Sequence, residues 1–121
     1  MAYIDGFVIA VPTANKAQFI RHATHTDTLF KELGATRVIE CWGDDVPDGT
    51  VTDFRKAVDA KEDETVVFSW VEWPDKATRD EAGIRMHEMM DTDRRFDEEH
   101  NPVPFDGKRM ICGGFSLVVE L

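Results

Sequence analysis

Apolar and polar positions alternate with period two in four stretches of the chain and recur at helical spacing in two others, and the order of these stretches outlines a fold. The most apolar is Glu64 to Trp73, ETVVFSWVEW, closed by Pro74. Alternation sets Val66, Phe68, Trp70 and Glu72 on one face and Val67, Ser69, Val71 and Trp73 on the other. Both faces carry large apolar groups, so a sheet with this strand at its centre needs two covers. Helices of the chain supply one. Too few other elements remain for the second, so a second copy of the chain is the expected partner.

The rest of the pattern is read around that strand. Tyr3 to Val11 alternates one face of Tyr3, Asp5, Phe7, Ile9 and Val11 with a smaller-residue face of Ile4, Gly6, Val8 and Ala10, and ends at Pro12. A helix is expected from an N-cap at Thr13 to a stop at Gly34, its stripe formed by Phe19, Ala23, Thr26, Phe30 and Leu33 with His22 and Leu29 beside it. A second strand lies within Ala35 to Val46. A turn-rich stretch follows, with a short helix at about Asp53 to Ala60 capped by Thr52. After Pro74, Asp75 caps a helix whose stripe is Thr78, Ala82, Met86, Met89 and Met90, methionines that read as adaptable core filling. A loop from Glu98 to Gly107 leads to a last strand, Lys108 to Leu121, whose Gly113-Gly114 pair invites a bulge or a close backbone approach.

Strand, helix, strand, short helix, strand, helix, strand is the ferredoxin-like βαββαβ order with an inserted short helix, an α+β fold with the first and third strands central and, on this reading, parallel. At 121 residues the chain is one domain, 1–121, large enough to need no disulfide or metal. Cys41 and Cys112 sit in apolar runs without CxxC spacing and read as reduced core residues of a cytoplasmic protein. The N-terminal apolar run is short and interrupted by Asp5, so neither a signal peptide nor a membrane span is expected. The net charge of −10 disfavours nucleic-acid partners. No nucleotide, dinucleotide or GxSxG motif is present, and His22, His25, His87 and His100 form no ligand set, so neither cofactor nor metal is expected.

Four separated blocks, YIDGFVIAVP, ECWGDDVPDGTVTDF, ETVVFSWVEWP and PFDGKRMICGGF, resemble the YbaA-like bacterial family of unknown function, over the whole chain. The resemblance implies a dimeric α+β barrel, in which two ferredoxin-like sheets face each other. It carries no catalytic residues with it.

If helices cover the face with Val67, Ser69 and Val71, the barrel interior receives Phe68, Trp70 and Glu72, with Glu40 and Trp42 from the second strand and, beyond them, Asp5 and Phe7. Aromatic walls with a few carboxylates suit a small apolar or aromatic metabolite. The alternative makes the tryptophans interface anchors and pairs the acids with Arg37, Arg109 or the partner chain. Glu40, between Ile39 and Cys41, demands an explanation, because a carboxylate in an apolar strand is costly without a partner. A two-carboxylate hydrolase is disfavoured, since an antiparallel second strand puts Glu40 near the start of the third strand and Glu72 near its end. Two functions stay open: a homodimeric protein binding a small apolar or aromatic molecule, or a cofactor-independent enzyme, monooxygenase- or isomerase-like, in which Glu40 deprotonates a small acidic organic substrate.

Overall fold

A computed structural model describes all residues from Met1 to Leu121. Its elements are β1 (Tyr3–Pro12), α1 (Lys16–Glu32), β2 (Arg37–Trp42), α2 (Phe54–Ala57), β3 (Glu64–Trp73), α3 (Lys76–Met89) and β4 (Ile111–Ser116). The four strands form one sheet in the order β2-β3-β1-β4, with every neighbouring pair antiparallel. This is the ferredoxin-like order. β1 and β3 are central as expected, but they run antiparallel, not parallel: the α1 crossover returns β2 in the direction of β1, and β3 then reverses as the partner of β2.

Local chemistry sets the ends of the helices. Gly34 adopts φ 112°, a left-handed conformation that stops α1 where only glycine is unstrained. Thr13 does not cap α1. It opens a 3₁₀ turn, Thr13–Asn15, and its hydroxyl bonds that of Thr65 at 2.7 Å. Asp75 caps α3 as expected, its carboxylate accepting from the Thr78 amide at 2.7 Å. Asp53, rather than Thr52, caps α2 through the Lys56 amide.

Both helices lie on the same face of the sheet. Under α1, Ile9, Val11, Phe19, Ala23 and Val67 form one buried cluster. Under α3, Val71 and Trp73 pack with Ala35 and Ala82. Of α3 only Ala82 is buried. The methionines lie at its margin, Met86 and Met89 half-buried and Met90 exposed. Polar contacts hold this helix: Arg79 reaches Asp5 at 3.0 to 3.2 Å, Asp5 also accepts from the Trp73 indole at 2.9 Å, and the Arg79 guanidinium stands 5.3 Å from the Tyr3 ring. The Tyr3 ring occupies the space a side chain at Gly114 would need, the close approach that the glycine pair invited. The register there is continuous, without a bulge.

On the opposite face, the segment between β2 and β3 folds over one end of the sheet, where Val58 buries Val8, Ala10 and Val66. Arg109 clamps that end, giving Glu64 two bonds of 2.7 Å while donating to the Asp59 carbonyl. Arg109 is therefore taken by Glu64 and not by Glu40 or Glu72. The charge and hydrogen bonds of Arg109 hold the Glu64 carboxyl down at about 2, against its partial desolvation.

Both edge strands are shorter than their apolar runs. β4 ends at Ser116 because Ser116 pairs with Tyr3, the first residue of β1, which leaves Leu117 onward without a neighbour to bond. The edges also correct the cysteine expectation: Cys41 and Cys112 are free thiols but exposed, because edge strands lack flanking cover. No helix is long and apolar enough to cross a membrane.

Candidate functional site

The register divides the residues that the sequence grouped together. Glu40 stands opposite Ser69 and Trp42 opposite Val67, so both point to the helix-covered face. Phe68, Trp70 and Glu72 point to the other. Glu40 faces the middle of β3, not its start, and shares no face with Glu72, which is paired in register with Arg37.

The three residues on the open face are accounted for locally. The Trp70 indole donates to Glu72 at 2.9 Å, and Arg37 lies 3.9 Å from the same carboxylate. Phe68 packs between Trp70 and Phe54 at ring separations of 5.8 and 6.0 Å. With Ile4, Ile111, Phe115 and the Leu117–Val119 tail, Phe68 and Trp70 line an apolar trough of about 760 Å³. Phe68 is 44% exposed and Phe115 59%, an apolar surface of the kind that marks an interaction face. Trp42, on the covered side, packs on Phe19 at 6.0 Å beneath the Lys16 ammonium.

Glu40 belongs to a different feature. Between α1 and the sheet lies a cavity of about 210 Å³, walled by Phe7, Phe19, Phe30 and Phe105 and lined also by Glu40 of β2 and Asp27 of α1. The two carboxyls and the Ser69 hydroxyl line the same cavity, near enough for Asp27 and Ser69 to shift the Glu40 carboxyl. Desolvation first, then the charge and hydrogen bond of Asp27, push the Glu40 carboxyl up to about 8, against the pull of Ser69. Glu40 is itself solvent-exposed, so repulsion within the pair is the sturdier cause. Asp27 is likewise pushed up by burial, opposed by its bond to Glu40. Both shifts favour a proton held within the pair.

His22 lines the same cavity. Asn101, buried, donates its amide to the Arg95 carbonyl at 2.8 Å, which turns its oxygen to accept from Nδ1 of His22 at 3.2 Å. The imidazole is thus the Nδ1–H tautomer with Nε2 free to accept. Burial, with a smaller contribution from the charge of His25, lowers its pKa despite the Asn101 bond. The cavity therefore offers a proton-holding acid pair, a neutral imidazole and aromatic walls. Sequence periodicity had marked His22 as bordering the helix stripe; Asp27, on the flank toward the β2 edge, carried no signal of its own.

Three ligand-type side chains also meet at Asp97, Glu99 and His100, all exposed. Asp97 is already engaged there, accepting from the Glu99 amide at 2.9 Å and from His100 Nδ1 at 2.8 Å.

A four-stranded antiparallel sheet in this order with both helices on one face defines a ferredoxin-like α+β protein. In agreement, the fold matches the crystal structure of a dimeric ferredoxin-like protein from an uncultured marine organism with a TM-score of 0.62, at 12% identity and covering 100% of both chains. The chain belongs to the family described as protein of unknown function (DUF1428), whose pattern matches residues 2–107. It is 52% identical over 120 residues to the uncharacterized protein YbaA of Escherichia coli strain K12 and of Shigella flexneri, covering 99% of this chain and 99% of theirs.

Proposed function

We propose that the protein is a homodimer that binds a small, mainly apolar or aromatic molecule in the cavity beneath α1. The observation that carries the binding reading is the cavity itself: aromatic walls and a polar head of Glu40, Asp27 and Ser69 are the composition of a ligand site, apolar contact for affinity and a few polar groups for orientation. Its volume lies below the roughly 300–1,000 Å³ of pockets for drug-sized ligands, so the occupant is compact, a single ring with a short arm.

The dimer reading rests on the other face. Phe68, Ile111 and Phe115 leave the sheet apolar and uncovered, and the structural neighbour is described as dimeric. Two such faces packed together bury the trough. Phe68, Trp70 and Glu72 then serve the dimer, and Glu40 serves the ligand.

The second reading, a cofactor-independent enzyme, is favoured by one observation: Glu40 is raised and His22 lowered on the same cavity, so acid and base coexist at neutral pH. Such a pair moves a proton from an acidic C–H without an added cofactor.

The binding reading is tested by identifying small molecules released on denaturing the purified protein and its Ala23→Leu variant. Ala23 is buried against the cavity, and a leucine fills it. A stoichiometric compound released by the wild type and missing from the variant is expected. A cavity that yields no compound, or the same compound in both proteins, overturns the reading.

A further inference from the structure

Several of the less exposed acids of the protein are held in ion pairs, and the two at the cavity are not. Glu64 is clamped by Arg109, Asp5 by Arg79, Asp93 by Arg95 and Asp53 by Lys56. Glu40 and Asp27 take part in no ion pair, since no Lys, Arg or His nitrogen comes within 4.0 Å of either.

Lys31 and Arg37 line a neighbouring surface pocket with Asp27, outside the cavity, and neither pairs with it. Lys31, one turn beyond Asp27 on α1, donates to the Thr36 carbonyl at 2.9 Å. Arg37, on β2, leans toward Glu72 on the other face. Lys16 sits over Trp42. His22, the only other titratable group lining the cavity, is neutral and bound to Asn101. β1 and the segment before β4 contribute Phe7, Ile9, Phe105 and Met110, and β3 contributes Ser69 and Val71, none of them charged.

A cavity with a net negative head, no internal cation and aromatic walls is complementary to a positively charged guest. Carboxylates take the ammonium by charge-assisted hydrogen bonds, and ring faces attract a cation as well as an apolar body. We propose that the cavity beneath α1 takes a compact protonated amine, with its ammonium on the Asp27–Glu40 carboxyls and its apolar body among Phe7, Phe19, Phe30 and Phe105. The proposal rests on the binding reading above and adds the chemical class of the ligand.

The proton balance follows from the pair. Free, the Glu40 and Asp27 pair favours holding a proton. An ammonium favours both carboxylates ionised, so binding releases up to one proton to solvent and strengthens as pH rises from 6 to 8. A carboxylate ligand meets a like charge and is rejected. A neutral alcohol of the same shape keeps the ring contacts and loses the ionic ones.

The test is isothermal titration of the full-length protein with three probes of one shape: phenethylamine, 2-phenylethanol and phenylacetate. Phenethylamine is expected to bind at least tenfold tighter than 2-phenylethanol at pH 8, with phenylacetate weakest. The preference should shrink toward unity in both Glu40→Gln and Asp27→Asn, and heats measured at pH 7 in two buffers of different ionisation enthalpy should show proton release. Equal or tighter binding of 2-phenylethanol or phenylacetate overturns the amine assignment while leaving a ligand cavity in place. An amine preference that survives both substitutions overturns it too, because the cation is then held elsewhere. If none of the three binds, the assignment falls, and the denaturation-release experiment decides the binding reading separately.

Discussion

The two faces of β3 have nearly equal shares of apolar residues and opposite fates. On the covered face Val67 and Val71 are almost wholly buried, and the polar Ser69 beside them is 2% exposed and stands opposite Glu40 in the register. On the other face Phe68 stands 44% exposed. The covered face holds polar groups because α1 and β2 bring partners to them, and it leaves one cavity. The open face keeps its polar groups at its two ends, the Trp70–Glu72–Arg37 set at one and the Glu64–Arg109 clamp at the other. Apolar content alone therefore does not separate an interior from an interface. The placement of polar groups does: an interior pairs or encloses them, whereas a face awaiting a second copy leaves its centre free of them.

Placing a charge at that centre gives the largest expected effect. Phe68→Asp should convert the dimer to a monomer by light scattering, since an unpaired carboxylate buried between sheets costs several kcal/mol, about a hundredfold or more in association. A dimer of unchanged affinity would remove the open face from the interface.

Next, the two acids at the ends of β3 sharpen the contrast. Glu64→Ala leaves Arg109 without its bidentate partner and should cost about 3 kcal/mol in a denaturation midpoint. Glu72→Ala removes an ion pair at 3.9 Å with an exposed Arg37 and should cost under about 1 kcal/mol. Equal losses would contradict the difference drawn between clamp and margin.

Glu40 gives a small effect with a distinctive sign. A carboxyl raised from about 4.3 in the unfolded chain to about 8 in the fold binds its proton more tightly when folded. That contribution is complete below pH 4.3 and is lost as pH rises through 8. Glu64, held at about 2, has the reverse behaviour: its contribution is present above pH 4.3 and lost as pH falls through 2. Because Glu40 is solvent-exposed, Glu40→Gln should raise stability at pH 8 by only about 1 kcal/mol, after allowing for solvent screening. It should also flatten the decline between pH 5 and 8 in thermal melts. A decline that persists in the variant would assign it to another group.

Much of this was legible in the sequence, and the gaps have physical causes. Asp75 before a helical stripe, Gly34 after one and the alternation of β3 are local signals, and they placed α1, β3 and α3 with the inserted helix between strands. Period two says that a strand has two faces but not which one a helix will cover, nor which residues of a neighbour join which face. That is decided by register, which put Glu40 with Ser69 and away from Trp70. Edge strands deceived in another way: Cys41 and Cys112 look like core residues because apolar runs extend past the pairing that would bury them. Asp27 was invisible because an acid on the flank of an amphipathic helix resembles any solvated acid until β2 is laid beside it.

Native mass spectrometry of the wild type, Phe68→Asp and Ala23→Leu tests the division of labour between the faces in one measurement. The wild type should appear as a dimer at twice 13.8 kDa carrying a small molecule, Phe68→Asp as a monomer that still carries it, and Ala23→Leu as a dimer that has lost it. A wild-type monomer, or a ligand that leaves with Phe68→Asp and stays with Ala23→Leu, would contradict the account.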